Sequence, residues 1–443
     1  MPQYRAPRGM RDLLPAEAVV FGRLEAVIAS RAERYGYARI ETPAVEDREL
    51  FARTSGETSE AAGKEMYDVV LHGQAGLALR PEGTAPIARA YLQHGLHLAP
   101  QPVRLLYIER MYRGQRPQLL RYREFRQWGL ECFGAGEPAA DIEIVSFTNG
   151  LLVEVGLTDV ALKVNTVGDV ASRPKVKEAL TAYFGRYESE LDADCRERLA
   201  TNVLRIFDCK QPRDQEIARG APVVRDLVSD EDRAHFGAVI GGLERLGIRY
   251  EVDDRLVRGL DYYTRTVFEF HLTDPEFTKA GAISVAGGGR YDGLIRTLGG
   301  PDVPGVGVAG GLDVLYGALQ RQGVPLGDEP AADVYVVSAQ ADDIADRTQL
   351  AEPLRDAGFT VAIDYTARTL DRQLESAVKH GAKVAIIRGT EEARGGNVIV
   401  RDLAKKEQVV KRLAAVVTEV GRHVRRRPRP AVAPPAVDAG EGT

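Results

Sequence analysis

Residues 107–131, YIERMYRGQRPQLLRYREFRQWGLE, carry six arginines, at 110, 113, 116, 121, 123 and 126. A guanidinium fork makes bidentate, charge-assisted hydrogen bonds to phosphate or carboxylate, so this density suits an anionic ligand. A solvated basic hairpin would use the same residues. The flanking VRLLYIERMYRG and RYREFRQWGLECFG read as two strands of a long hairpin, and period-two alternation puts Arg113, Gln127, Gly129 and Glu131 on one face. The interleaved Gln127 and Glu131 add acceptors for an amine or an imidazolium.

Three other stretches have chemical content. RPEGTAP sets Glu82, Gly83 and Thr84 at a strand–helix junction. Backbone N–H groups and a carboxylate there could grip both ends of an amino acid, although a helix cap is the plainer use. LVRGLDYYTRTVFEF places Arg258 before a glycine turn, with Tyr262 and Tyr263 predicted on opposite faces of the following strand. Adjacent aromatics are ordinary core, but a buried arginine beside them is costly unless it meets an anion. AGGGRYDGL, residues 286–294, lets backbone approach a ligand closely, and its spacing fits neither a P-loop nor a dinucleotide fingerprint.

The elements that must hold these groups follow from periodicity. EAVVFGRLEAVIASRAERYG, residues 17–36, predicts an amphipathic helix ending at a glycine over about 16–35. Pro43 confines the next strand to an edge or a bend. Residues 171–250 read as a charged, helical insertion, and 1–325 as one unit containing it. After RQGVPLGDEPAAD the pattern changes to strands alternating with helices near 341–357 and 369–380, which predicts an α/β domain with a largely parallel sheet over 331–420. Arg368, Arg372, Lys379 and Lys383 read as a basic stripe or a solvated face on its helix. The tail, 421–443, is predicted disordered from its Pro, Ala and charge content.

The 443-residue chain is 44% hydrophobic and 28% charged, enough to bury a core. Its net charge of −5 gives no global attraction to nucleic acid. It has no run of about 18 apolar residues and no signal-peptide pattern, so a cytoplasmic protein without membrane spans is expected. Cys132, Cys195 and Cys209 are odd in number and widely spaced. They suit reduced thiols, and with few histidines nearby no metal site is predicted.

Taken in order, RGMRDLLP, LRPEGTA, MYRGQRPQ…RYREFRQWGLE, LVRGLDYYTRTVFEF and AGGGRYDGL resemble the histidyl-tRNA synthetase family of class II aminoacyl-tRNA synthetases. The resemblance runs from residue 8 to about 411. It implies an α+β fold, in which an antiparallel-sheet catalytic domain with a helical insertion is joined to an α/β anticodon-binding domain. It also implies a homodimer through the 16–35 helix and the Pro43 strand. The substrates implied are histidine, ATP with bound Mg²⁺, and tRNA(His). By position, Glu82, Gly83 and Thr84 would hold the histidine amino group, and Gln127, Glu131, Tyr262, Tyr263 and Tyr291 would line the imidazole pocket. Arg113 would bind the α-phosphate and carboxylate, Arg258 would be the catalytic arginine, and Gln115 and Arg121 would meet the adenine and the distal phosphates.

Two positions depart from the family pattern. Gln115 stands where motif 2 has glutamate, and Val314, in GVGVAGGLDVLYGAL, stands where motif 3 has its phosphate-clamping arginine. Besides a histidine–tRNA ligase, these departures admit a paralogue with impaired ATP use that acts as a histidine- or RNA-binding regulator. A paralogue passing activated histidine to another acceptor is also admitted.

Overall fold

In the computed structural model the arginine-rich hairpin forms the second and third strands of an eight-stranded sheet. Its strands run in the order Ala38–Arg39, Val103–Tyr112, Glu124–Phe133, Gly305–Gly311, Ser284–Arg290, Thr264–Leu272, Val160–Thr166 and Glu251–Val252. The two short edge strands pair in parallel and all other neighbours are antiparallel. The chain is thus α+β, as its sequence predicts. Residues 4–55, 65–71, 73–258, 262–279, 283–327, 331–339, 344–365 and 368–426 are described. They fall into two units that divide between Gly327 and Asp328.

Alternation along Glu124–Phe133 separates the two faces of the sheet. Trp128, Leu130 and Cys132 enter the main hydrophobic core, whereas Gln127, Gly129 and Glu131 point to the opposite face. Helices Pro15–Arg34, Pro138–Glu154, Asp230–Arg245 and Leu312–Gln322 close that core. The first opens on a proline and carries Glu17 in its first turn and Arg31 and Arg34 in its last, matching the helix dipole. It buries Val20, Phe21, Leu24, Ile28 and Ala32, a stripe of three- and four-residue steps.

The helical stretch over 171–250 divides in two. A separate small core gathers Val176, Leu180, Phe184, Leu191, Ile206 and Ile217. The last helix, Asp230–Arg245, instead sends Phe236, Val239 and Leu243 into the main core. Periodicity shows that a helix is amphipathic but not which core takes its apolar face.

The second unit has a five-stranded sheet ordered Val361–Ile363, Val334–Ser338, Val384–Arg388, Asn397–Asp402 and Gln408–Arg412. The first three are parallel and the last two antiparallel, so the sheet is less parallel than its sequence suggests. The reason is local: Val384–Arg388 and Asn397–Asp402 are joined by the five-residue helix Thr390–Arg394, too short a connection for a parallel crossover. The basic stripe also dissolves. Arg372 and Lys379 lie on helix Leu370–Lys379, but Arg368 precedes it, bonded to Asp364, and Lys383 follows it. Helix Val416–His423 carries structure into the segment read as a disordered tail, and 427–443 lie outside the described residues.

Arg290 and Asp141 form a fully buried ion pair that fastens the Ser284–Arg290 strand to helix Pro138–Glu154. Arg290 also donates to Ala135 O at 2.9 Å and Glu137 O at 3.2 Å, and His235 Nε2 lies 3.3 Å from Asp141. Removing one partner of such a pair leaves an uncompensated charge in the interior. Arg290→Met is therefore expected to lower the unfolding free energy by about 3–5 kcal/mol in denaturant titration. An undiminished midpoint would mean that Asp141 is neutralised in another way.

Candidate active site

The face of the sheet opposite the main core carries a buried carboxylate. Glu131 is 1% exposed. Thr84 Oγ1 donates to its Oε1 at 2.7 Å, and the Tyr291 hydroxyl donates to its Oε2. Room for this group is made by its strand neighbour Gly307, where any Cβ would collide with Glu131 Oε2 and the Tyr291 hydroxyl. Gly129 and Gly83 leave space in the same way for the ring of Tyr107, whose hydroxyl donates to Gln127 Oε1 at 3.3 Å. Burial pushes the Glu131 carboxyl up to about 8 against the two hydrogen bonds that favour its ionised form, and nearby Glu82 adds to the rise.

Glu82 is both a cap and part of the site. It accepts from Thr84 N at 2.7 Å and Ala85 N at 2.9 Å, satisfying donors at the start of helix Thr84–Gln93. Its burial raises its pKa, opposed by those bonds and by the charge of Arg113. Tyr262 and Tyr263 do not point to opposite faces. They precede the strand Thr264–Leu272, stack with centroids 4.8 Å apart, and both pack against Tyr291, at 5.7 and 6.4 Å. Strand alternation does not apply to them.

Two arginines approach this cluster from different elements. Arg113 continues the parity of its strand: its N–H bonds Arg123 O at 2.8 Å, its Nε donates to Pro81 O at 2.8 Å, and its guanidinium lies 5.2 Å from the Phe125 ring centroid. Burial lowers its pKa, and the like charge of Arg121 on the hairpin loop lowers it further, although Glu65 and Glu82 oppose both. Arg258 lies over Tyr263 at 5.5 Å and pairs through Nη1 with Glu269, which also meets His271 Nε2 at 2.9 Å. Burial acts against its charge, but Glu269 more than compensates, and its pKa is raised. Gly287 supplies the space for its guanidinium. Among the described residues, Arg258 Nε has no hydrogen-bond partner. Gly259, Leu260 and Asp261 of this motif lie outside the described residues.

Glu82, Thr84, Arg113, Gln127, Glu131, Arg258, Tyr262, Tyr263 and Tyr291 thus share one side of the sheet. Gln115 and Arg121 belong to the loop beyond it. Gln115 Nε2 donates to Tyr122 O at 3.3 Å, and Arg121 is exposed in a tight turn with Gln118. Tyr107, Glu269 and His271 were not singled out from the sequence. Their signal was there in principle, since Tyr107 is cross-strand from Gly129, and Glu269 and His271 alternate on a strand beside Arg258.

Val314 occupies the first turn of helix Leu312–Gln322 and packs, half-buried, against the main core, as does Leu120 from the hairpin loop. Leu120 has φ of 59°, an uncommon conformation for a leucine, and its side chain lies where a Cβ on Gly317 would be. Asp313 accepts from Arg126 N and from Arg11 Nη2, both at 3.0 Å. Arg321, at the far end of the helix, pairs with Asp274 at 3.2 Å.

An antiparallel sheet bearing buried acidic groups flanked by arginines, with a separate α/β unit behind it in sequence, is the architecture of a class II aminoacyl-tRNA synthetase. Residues 9–315 match the model of histidyl-tRNA synthetase, and 333–423 match an anticodon binding domain. The chain is 43% identical over 421 residues to a histidine–tRNA ligase of Desulforudis audaxviator, covering 95% of this chain and 99% of that one. It is 41% identical over 406 residues to the histidine–tRNA ligase of Geobacillus kaustophilus, covering 91% and 95%. The apo structure of histidyl-tRNA synthetase from S. aureus superposes with a TM-score of 0.80 at 33% identity, covering 94% of this chain and all of that one. The chain belongs to the histidyl-tRNA synthetase family.

The Tyr291 hydrogen bond favours ionised Glu131, so its removal has a defined sign. In Tyr291→Phe the Glu131 pKa is expected to rise above 8, read by the carboxylic-acid band in infrared difference spectra of the ligand-free protein. An unchanged or lowered value would show that the tyrosine does not hold the carboxylate.

Proposed function

We propose that this chain is a histidine–tRNA ligase acting in the cytoplasm as a homodimer. In the first step a histidine carboxylate oxygen attacks the α-phosphorus of ATP, and pyrophosphate leaves with the electrons of the broken P–O bond. In the second step the terminal ribose hydroxyl of tRNA(His) attacks the carbonyl of histidyl-adenylate, and AMP leaves. The observation that carries this reading is the pairing of two opposite environments on one sheet face. Glu131, with Gln127, Tyr262, Tyr263 and Tyr291 around it, suits an imidazole. Glu82 and Thr84 suit an α-amino group.

Beside them, Arg113 and Arg121 are like charges close enough to disfavour each other, and an anion relieves that cost. Arg258, with Nε unsatisfied, is placed to stabilise charge at the reacting carboxylate and phosphate, where preorganised cations have their largest effect. Gln115 can present its carbonyl to an adenine amino group. Mg²⁺ is proposed as a companion of ATP, held by phosphate oxygens. The α/β unit is proposed to read the anticodon and the 16–35 helix to lie in the dimer interface. Among the described residues no helix is long and apolar enough to cross a membrane.

Histidine-dependent ATP–pyrophosphate exchange tests the reading. Exchange is expected in the native chain and should fall by about 10²–10³-fold in Arg258→Ala. Histidine binding with no exchange at saturating ATP would favour the regulator reading instead. Val314→Arg restores a cation beside the nucleotide end and is expected to raise exchange at limiting ATP by about 10-fold or more. No increase would mean that the distal phosphates are already held by other groups.

A pH signature belongs to the pocket itself. With its pKa raised to about 8, Glu131 is protonated in the empty site at neutral pH. To accept an imidazole N–H it must be a carboxylate, so histidine binding at pH 7 should release a proton and tighten as pH rises toward 8. Calorimetry in buffers of different ionisation enthalpy reads the release directly. Glu131→Gln should abolish it; a proton count that survives this change would place the titrating group elsewhere.

A further inference from the structure

The insertion brings together four groups that the sequence holds apart. Asp192, Cys195, Cys209 and Asp214 converge so that one ligand atom from each lies within 4.8 Å of all the others. Two short segments deliver them. Asp192 N-caps helix Ala193–Thr201, accepting from Cys195 N at 2.6 Å, and Asp214 lies in the first turn of helix Pro212–Arg219, just after Cys209. Cys195, Cys209 and Asp214 are buried and Asp192 half-buried. The Cys209 thiol faces Asp214 Oδ2 at 3.2 Å and Asp192 Oδ2 at 3.9 Å, and Asp192 N donates to Asp214 Oδ2 at 3.3 Å. Two carboxylates and two thiols are therefore brought to one small space.

We propose that Asp192, Cys195, Cys209 and Asp214 form a structural zinc site in the helical insertion. Two thiolates select zinc over magnesium or calcium, which prefer all-oxygen shells. A tetrahedral zinc holds its ligand atoms about 3.3–3.8 Å apart, so side-chain shifts of about 1 Å complete the site. The charge balances: the ion replaces the two thiol protons, which are released, and the net charge of the cluster does not change. With four protein ligands, three of them buried, there is no position for a reacting water, and the site is of the structural kind. Its place explains its use. The insertion's own core is small, built from helices of 4 to 12 residues. A core of that size gains most from a metal tie. The alternative, a reactive thiol pair, is disfavoured because both thiols are buried in the insertion's own core, away from solvent oxidants and substrates.

The full-length protein, purified without chelator, incubated with zinc sulfate and desalted, is expected to retain near one zinc per chain by plasma mass spectrometry. Cobalt(II) in its place should show thiolate-to-metal charge transfer and the intense visible bands of a tetrahedral site. That readout uses the native sequence and does not depend on any variant folding. Cys209→Ser and Asp214→Asn should lose the metal, whereas Cys132→Ser, in the main core, should keep it. A native chain that desalts metal-free, a cobalt spectrum without thiolate charge transfer, or a Cys195–Cys209 disulfide found by mass spectrometry in protein purified without reductant would each overturn the proposal. None of these results bears on aminoacylation, because the four ligands lie in a core separate from the candidate active site.

Discussion

The structure turns on keeping a carboxylate inside a β-sheet. An isolated buried carboxylate is costly, and the fold offsets the cost locally. Thr84 and Tyr291 reach Glu131 from elements remote in sequence, and Gly307 removes the side chain that would occupy the same space. Each requirement fixes something larger. The Thr84 bond docks a helix onto the hairpin, and the Tyr291 bond sets the register of the Ser284–Arg290 strand through the residue that follows it. The glycines fix how closely the strands' occupants approach. The fold and the pocket are thus one constraint: a sheet face cleared of Cβ atoms and lined with hydrogen-bond donors for one acid.

The cationic side is built by a different logic. Arg290 and Arg80 are buried and paired, by Asp141 for one and by Glu109 with the carbonyls of Thr42 and Arg110 for the other. Both tie elements of the fold together. Arg113 and Arg258 are incompletely satisfied, the first crowded by a like charge and the second with an unpartnered Nε. Glu269 keeps Arg258 charged while leaving one edge of its guanidinium free.

Much of this was legible in the sequence, for reasons that can be named. The hairpin alternation, the helix at 16–35 and the strand–helix pattern after residue 330 follow from side-chain periodicity. The face shared by Arg113, Gln127, Gly129 and Glu131 needed only a period of two. What could not be read depends on tertiary partners. Tyr262 and Tyr263 precede their strand, so alternation misplaced them. Helix Asp230–Arg245 belongs to the main core because of what it packs against, which its own pattern does not contain. Cys195 and Cys209 lie 14 positions apart, and only the turn between two short helices makes them neighbours.

The departure at Val314 also has a physical consequence. The helix start keeps its polar anchoring through Asp313, while Val314 and Leu120 cover the main core with apolar surface. Arg11 is the arginine bonded there, and its charge is already shared between Glu17 and Asp313. On the proposed function the nucleotide end is left to Arg113 and Arg121, and a missing charge-assisted contact there is worth about 1.5–3 kcal/mol. None of that loss reaches the acidic pocket, which shares no hydrogen bond with this turn. The substitution should weaken the grip on ATP and leave the affinity for histidine untouched, so the two substrates of one site are tuned by separate parts of the fold.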